Sequence, residues 1–270
     1  MTAHGPPDPP HRVVWAGGHR AQRRLAELAR THPPDAQALG EAWLLDHRVQ
    51  PDGHGMPLVA ARGSAVAGTL WAMSPQAWQD SAGLALVAPP PQAHPRPAMG
   101  VADALGHVHE LPVLWVAEGA EPLPPSALDV GPRTLFVYGT LRQGECRAEA
   151  LGDPAPQHIA AARVPGRLWH TLDDYPVWTP LAAAEAGAPG APQVRGELVT
   201  WAAPPPWERL DAVEEFHGFG SDASLFVRTL VRATDDAGRL HLAWAYLAGP
   251  AVQRDRPIPS GDWCRREPAP

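Results

Sequence analysis

Short apolar runs separated by proline, glycine and polar residues recur along most of the chain, and they predict a protein built mainly of β-strands. In the first half they predict strands at residues 11–16, 41–49, 57–61, 65–73 and 111–117, a turn at 62–64 and a helix over 21–30. In the second half they predict strands at 134–138, within 163–172, and at 193–201, 223–233 and 241–248, a helix over 207–216, a loop at 182–192 and a hairpin turn at 235–238. The chain is therefore expected to have an α+β fold.

Proline-rich stretches divide the chain and predict its domain boundaries. They predict a disordered lead-in at residues 1–11, a linker at residues 118–132 and a C-terminal tail at residues 250–270. The two segments between them, 12–117 and 133–249, contain similar short strings in the same order: 13–16 matches 136–139, 66–70 matches 194–198, and 114–117 matches 245–248. This repetition predicts two copies of one fold in tandem, packed against each other within the chain.

The strand at 134–138 ends at Gly139, and the chain then becomes polar at once. Glycine permits a positive φ or a close approach of the backbone, so it suits a turn at this point. Successive N–H groups in such a turn can hold an anion, or an oxygen that becomes negative during a reaction. An ordinary strand-to-loop turn has the same pattern, and the residues alone leave both interpretations open.

The predicted helix over 207–216 carries the best candidate for acid–base chemistry. Leu210, Val213 and Glu214 are three and four residues apart, so they share one helix face, and Glu214 is expected on the apolar side. Desolvation there would raise the pKa of the carboxyl toward that of a usable general base. The alternative is an ion pair between Glu214 and an arginine such as Arg228. Glu215 is expected to be solvated.

Two separate motifs resemble those of the γ-glutamylcyclotransferase-like (AIG2-like) family, over roughly residues 133–249. Members of that family have a Tyr-Gly-Ser/Thr-Leu loop after a buried strand, and then a Leu-Asp-x-x-Glu-Gly pattern followed by an aromatic-x-Arg strand. This chain has, in the same order, Tyr138-Gly139-Thr140-Leu141, Leu210-Asp211-Ala212-Val213-Glu214 and Phe226-Val227-Arg228.

The resemblance implies a small mixed β-sheet or barrel flanked by helices, and an enzyme that cyclises a γ-glutamyl amine or amino acid to 5-oxoproline. It implies that Glu214 is the catalytic acid–base, and that Tyr138, Gly139, Thr140 and Leu141 cradle the substrate. No metal or cofactor is required for this reaction, and the sequence signals none. The alternative from another class is a non-catalytic module that binds a small γ-glutamyl-like anion or another protein.

The chain departs from the family pattern at three positions. Glu215 occupies the usual place of a glycine, Phe226 that of a common tyrosine, and Arg147 lies near the usual place of an asparagine. In the first half, the loop at 15–18 lacks the Tyr-Gly motif, and residues 74–86 contain Asp80 but no glutamate. The first half is therefore expected to be a degenerate, catalytically inactive copy.

A few other side chains offer weaker chemistry. His107, His109 and Glu110 could ligate a metal from a strand, although a polar strand edge has the same spacing. Cys146 could act as a nucleophile, but no nucleophile signature surrounds it. His217 could tune the pKa of Glu214 or cap the C-terminus of the helix. We favour the capping role.

Composition and charge narrow the classes of function. A net charge of −7 without a basic cluster disfavours nucleic acid as a partner. All 22 basic residues are arginines, which excludes lysine chemistry such as a Schiff base or a P-loop. Only two cysteines, no signal peptide and no apolar run of membrane-spanning length predict a cytoplasmic protein with no membrane contact. The expected partner is a small γ-glutamyl compound.

Overall fold

The computed structural model describes residues 12–17, 19–32, 35–50, 58–80, 99–111, 113–114 and 131–266. Its contacts divide the chain into two compact units. The first comprises 1–61, 65–101 and 110–130, and the second comprises 62–64, 102–109 and 131–270. The predicted lead-in at 1–11, residues 115–117 of the predicted strand at 111–117, and residues 118–130 of the predicted linker lie outside the described residues.

The first half of the chain forms a six-stranded sheet. Its strands are β1 (Arg12–Gly17), β2 (Ala36–Val49), β3 (Leu58–Met73), β4 (Gly100–Asp103), β5 (Val108–Glu110) and β6 (Val113–Leu114), in the order β5-β4-β2-β3-β1-β6. Helix α1 (His19–Thr31) follows β1, and helix α2 (Pro75–Asp80) follows β3. Ala21 and Leu25, on one face of α1, are fully buried in a core cluster with Val14 and Ala16 of β1. The apolar spacing that predicted this helix therefore corresponds to its packed face.

The second half forms a closed five-stranded barrel in the order β11-β7-β13-β12-β8. These strands are β7 (Thr134–Val137), β8 (His158–Pro165), β11 (Gln193–Thr200), β12 (Phe226–Asp235) and β13 (Leu240–Ala248). A three-stranded sheet, β10-β9-β14, consists of β9 (Arg167–Thr171), β10 (Pro176–Thr179) and β14 (Arg254–Pro257). The α-helices are α3 (Ala183–Ala186) and α4 (Trp207–Val213), and short 3-10 helices lie at Ala148–Leu151 and Trp263–Arg265. No helix in the described parts of the chain is both long and apolar enough to cross a membrane.

Four strands of the first sheet repeat the order and directions of four barrel strands. The row β2-β3-β1-β6 corresponds to β8-β11-β7-β13, with β1–β6 and β7–β13 parallel and the other neighbours antiparallel. Each row has a glycine that packs closely against an aromatic ring of the neighbouring strand. A Cβ on Gly68 would lie 2.5 Å from the Trp15 ring, and a Cβ on Gly196 would lie 2.7 Å from the Phe136 ring. Trp15 therefore corresponds to Phe136.

This correspondence corrects the alignment made from the sequence, which paired Trp15 with Tyr138 and Ala16 with Gly139. The strand registers shift this alignment by two residues. In the first sheet Gly17 pairs with Gly68. In the barrel Val137 pairs with Glu197, so the next residue, Tyr138, is the one that lies opposite Gly196. Gly17 thus occupies the position of Tyr138. Short apolar strings resemble one another at several offsets, whereas the glycine contact fixes a single one.

A tight hairpin is also repeated in the two halves. Asp103 lies at the end of β4, and its Oδ2 atom is 3.1 Å from His109 Nε2. Asp235 lies at the end of β12, and its Oδ2 atom is 2.9 Å from His241 Nε2. In each hairpin the residue two positions before the histidine also contacts this aspartate. The histidines proposed as possible metal ligands therefore pair with Asp103, and no cluster in the described residues could hold a metal ion.

Several predicted element boundaries were wrong, and three of them change the elements themselves. Residues 57–61 and 65–73 were expected to be two strands, but they form the single strand β3. Ala65 of β3 pairs with Leu45 of β2, and Ala60 pairs with His47, so β3 has more residues than β2 between these two pairs. Residues 61–64 therefore form a bulge, in which Gly63 has a φ of 73°. The expected loop at 182–192 contains α3, and α4 ends at Val213, three residues before its predicted end.

Candidate active site

A cavity with about 410 Å³ of empty volume opens beside the end of β7. It is lined by all five residues that the sequence singled out, which are Tyr138, Gly139, Thr140, Leu141 and Glu214. Two motifs more than 70 positions apart along the sequence therefore meet at one place.

The loop after β7 forms one wall of the cavity. Arg142 N donates to Gly139 O at 3.0 Å, which closes a turn, and Arg147 N donates to Thr140 O at 2.9 Å. A Cβ on Gly139 would lie 2.4 Å from Pro176 Cγ, so a close approach, rather than a positive φ, requires glycine here. In the part of the chain that the structure describes, the backbone N–H groups of Thr140 and Leu141 have no acceptor. Two donors are therefore available beside the cavity.

Side chains distant in sequence hold this loop from behind. The half-buried guanidinium of Arg142 donates to Asp262 Oδ1 at 2.7 Å and lies 3.4 Å from Glu197 Oε1. Trp263 Nε1 donates to Glu145 Oε2 at 3.1 Å. Charge-assisted hydrogen bonds of this kind are stronger than neutral ones and fix geometry. The loop is thus tied to β11 and to the segment around the last 3-10 helix.

Glu214 lies immediately after α4, and the residue is only 7% exposed. Its N–H donates to Leu210 O at 3.0 Å, which completes the last turn of the helix, and its own carbonyl accepts from Phe226 N at 3.2 Å. Glu215 is exposed, has a φ of 50°, and accepts from Leu225 N through its carbonyl at 3.1 Å. The backbone of Glu214 is therefore fixed between α4 and the start of β12.

Burial dominates the electrostatics of Glu214. Desolvation raises the pKa of its carboxyl from 4.5 to about 7, against a smaller lowering by the Arg147 guanidinium. Among the described residues its carboxylate has no hydrogen bond or ion pair. The alternative of an ion pair with Arg228 was wrong, because the Arg228 guanidinium lies against Asp211 instead, with Nε 3.1 Å from Oδ1.

The aspartate and arginine of the two motifs form a buried network next to the cavity. Arg228 is 1% exposed, and its guanidinium carbon lies 4.9 Å from the centroid of the Trp207 ring. Asp211 Oδ1 also accepts from Tyr246 OH at 2.7 Å, and Tyr246 O accepts from Tyr138 OH at 2.9 Å. Asp211 and Arg228 do not line the cavity. They attach α4, which ends beside Glu214, to β12 and β13.

Further residues line the cavity that the sequence did not assign to it, including Arg147, Tyr175 and Tyr246. They come from the loop after β7, the turn before β10 and strand β13. The sequence noted Arg147 only as a departure from the family pattern, and no motif singles out Tyr175 or Tyr246. Cys146 and His217, two weaker candidates, are exposed and do not line the cavity. His217 lies four residues beyond Val213, the last residue of α4, so the expected helix cap was wrong.

Comparison with known protein families gives a match in the barrel half of the chain. Residues 135–265 match the sequence profile of the family described as "Gamma-glutamyl cyclotransferase, AIG2-like". Among curated proteins there is no significant match.

Three solved structures are similar to this chain. YkqA from Bacillus subtilis has 13% identity over 92% of this chain and 86% of its own, with a TM-score of 0.40. An AIG2-like protein from Mus musculus has 18% identity over 51% of this chain and 96% of its own, with a TM-score of 0.30. An uncharacterized protein from Pyrococcus horikoshii has 18% identity over 48% of this chain and 88% of its own, with a TM-score of 0.31. Both motifs lie on one cavity and the profile is matched over the barrel, so the C-terminal half of this chain resembles the γ-glutamyl cyclotransferase, AIG2-like family.

Proposed function

We propose that the barrel half catalyses cyclisation of a γ-glutamyl amine or amino acid to 5-oxoproline, with Glu214 as the general acid–base. The family supports a cyclotransferase-type activity on a small molecule in general terms. The observation that carries the specific reaction is the buried Glu214 carboxyl, which has a pKa of about 7 and lines the same cavity as the loop after β7. A base whose pKa lies near the operating pH is the most effective proton acceptor.

The reaction needs one group that can both take and return a proton. The α-amine of the substrate attacks its own γ-carbonyl carbon, a C–N bond forms, and Glu214 accepts the proton that the amine loses. The tetrahedral intermediate then collapses, the bond to the leaving amine breaks, and Glu214 returns the proton to that amine. The products are 5-oxoproline and a free amine or amino acid, so atoms and charges balance.

The tetrahedral intermediate carries a negative oxygen that requires hydrogen-bond donors. The unpaired N–H groups of Thr140 and Leu141 are suited to this role, since both residues line the cavity. Fixed donors stabilise such an oxygen without reorganisation during the reaction. The ties between Arg142 and Asp262 would keep these donors in place.

We propose that the first half is a separate, inactive domain of the same origin. It repeats the strand order, a glycine contact and a hairpin of the barrel, yet Gly17 stands at the position of Tyr138. Residues 74–86, where the acid would be expected, contain Asp80 and no glutamate. The domain limits predicted from the sequence, 12–117 and 133–249, belong to this proposal.

The experiment that tests the function is mass-spectrometric detection of 5-oxoproline after incubation of the full chain with γ-glutamyl amino acids, peptides and alkylamines. N-acetylated forms of the same compounds are the matched controls, because their blocked amine cannot attack. Product from the free forms alone is expected. If γ-glutamyl compounds bind but no 5-oxoproline forms, the protein is a non-catalytic binding module instead.

A further inference from the structure

We propose that Arg147 binds the α-carboxylate of the γ-glutamyl unit, so that the site accepts only γ-glutamyl compounds whose α-carboxylate is free. This inference rests on the proposed cyclisation and adds a substrate requirement to it. Arg147 was noted in the sequence only as a departure from the family pattern. The structure gives this departure a position in the site.

Arg147 joins the two parts of the chain that the proposed reaction uses. Its backbone N–H donates to Thr140 O at 2.9 Å, within the loop that supplies the oxyanion donors. Its side chain reaches across to α4, where Nη1 donates to Val213 O at 3.1 Å, one residue before Glu214. The guanidinium therefore lies between the loop and the acid–base residue, on an exposed side chain that lines the cavity.

The cavity contains little charge apart from this arginine. Of the described residues that line it, Arg147 is the one cation and Glu214 the one carboxylate. The Arg147 charge already acts on Glu214, because it lowers the pKa of that carboxyl against the larger effect of burial. One hydrogen bond to Val213 O uses one of the five N–H donors of a guanidinium, and the others remain available to a ligand.

The geometry of the substrate brings its carboxylate close to this cation. In a γ-glutamyl compound the attacking amine nitrogen and the carboxylate carbon are bonded to the same carbon atom, so they are about 2.5 Å apart. An amine positioned to give its proton to Glu214 therefore carries its carboxylate to within a few ångströms of Glu214. Two carboxylates at such a distance repel strongly unless a cation lies beside them. Arg147 is the residue placed to supply that cation, and its planar guanidinium matches a carboxylate.

The test compares each substrate with its own α-carboxamide, which keeps the amine, the γ-carbonyl and the leaving group. For the wild type, we expect kcat/KM to be about 10- to 100-fold lower for the carboxamide, the range for loss of charge-assisted hydrogen bonds. In Arg147→Gln, KM for the free acid should rise by a similar factor with a smaller change in kcat, and the preference should disappear. Arg147→Lys should restore part of it.

Arg209→Gln is the matched control. Arg209 shares an outer groove with Arg147 but does not line the cavity, so its variant should keep the wild-type preference. Calorimetric binding of 5-oxoproline and its carboxamide separates this inference from the reaction. If Arg147→Gln weakens binding of the acid alone while no protein forms 5-oxoproline, the cyclisation is wrong and the Arg147 assignment holds. If Arg147→Gln retains the preference for the acid, or if the wild type binds neither ligand, the Arg147 assignment is overturned.

Discussion

Replacement of Glu214 by glutamine is expected to make the protein inactive and, at alkaline pH, more stable. Burial raises the pKa of this carboxyl in the folded protein from 4.5 to about 7. Below pH 4.5 the group is neutral in both the folded and unfolded states, so its burial has no charge penalty. As pH rises toward and beyond 7, the unfolded state ionises first, and the stability that depends on the bound proton is lost.

The size of this effect follows from the difference between the two pKa values. It corresponds to about 3 kcal/mol of lost stability once pH exceeds 7, as an upper estimate. Glutamine has nearly the same shape and no charge, so Glu214→Gln should unfold at higher urea concentration than the wild type at pH 8 and at a similar one at pH 4. Loss of one positioned acid–base group should lower the rate of 5-oxoproline formation about 10²- to 10⁴-fold. In the wild type, this rate should rise as pH increases through about 7.

Urea denaturation at the two pH values and the 5-oxoproline assay measure these effects. Glu215→Gln is the matched control, because Glu215 is the exposed neighbour and should change neither activity nor the pH dependence of stability. The reasoning is refuted if Glu214→Gln retains near-full activity. It is equally refuted if the variant and the wild type have the same stability at pH 8, since the carboxyl would then have no raised pKa.

Three other substitutions test particular contacts. Gly139→Val should lower activity far more than Thr140→Ser, because a Cβ at position 139 collides with the neighbouring proline ring; similar rates for the two variants would exclude the loop as the oxyanion site. Glu215→Gly should raise the free energy of unfolding by about 1 kcal/mol with unchanged kcat, because φ there is 50°; a loss of stability in urea would contradict this. Asp211→Asn should lower the free energy of unfolding in urea by about 3–5 kcal/mol, because Arg228 stays buried without its anion. A decrease below about 1 kcal/mol would show that this ion pair contributes little to stability.

The sequence predicted the parts of the site that local pattern determines. Glu214 follows helical spacing with Leu210, and Gly139 ends an apolar strand, so both could be located without coordinates. Arg147 and Tyr246 could not be located in this way. Tyr246 faces the cavity because of where β13 lies in the closed barrel, and the side-chain direction of Arg147 depends on the end of α4. Both depend on contacts between distant segments.

The limits of the elements show the same distinction between local and distant effects. The expected turn at 62–64 has the composition of a turn, and Gly63 does have a positive φ, but pairing with β2 resumes on both sides and makes it a bulge. The end of α4 was predicted too late because nothing in the local sequence stops the helix at Val213. The carbonyls of Glu214 and Glu215 instead pair with the start of β12.

The side-chain contacts behind the loop after β7 also affect when the candidate site can form during synthesis. Arg142 and Asp262 are separated by 120 positions along the chain, and Glu145 and Trp263 by 118. On the ribosome the loop therefore emerges long before the residues that hold it, and closing so long a segment has an entropic cost. Strands β7, β8 and β11 can pair while the loop is still unsupported. The nascent chain thus acquires its barrel strands first and an ordered loop after β7 last.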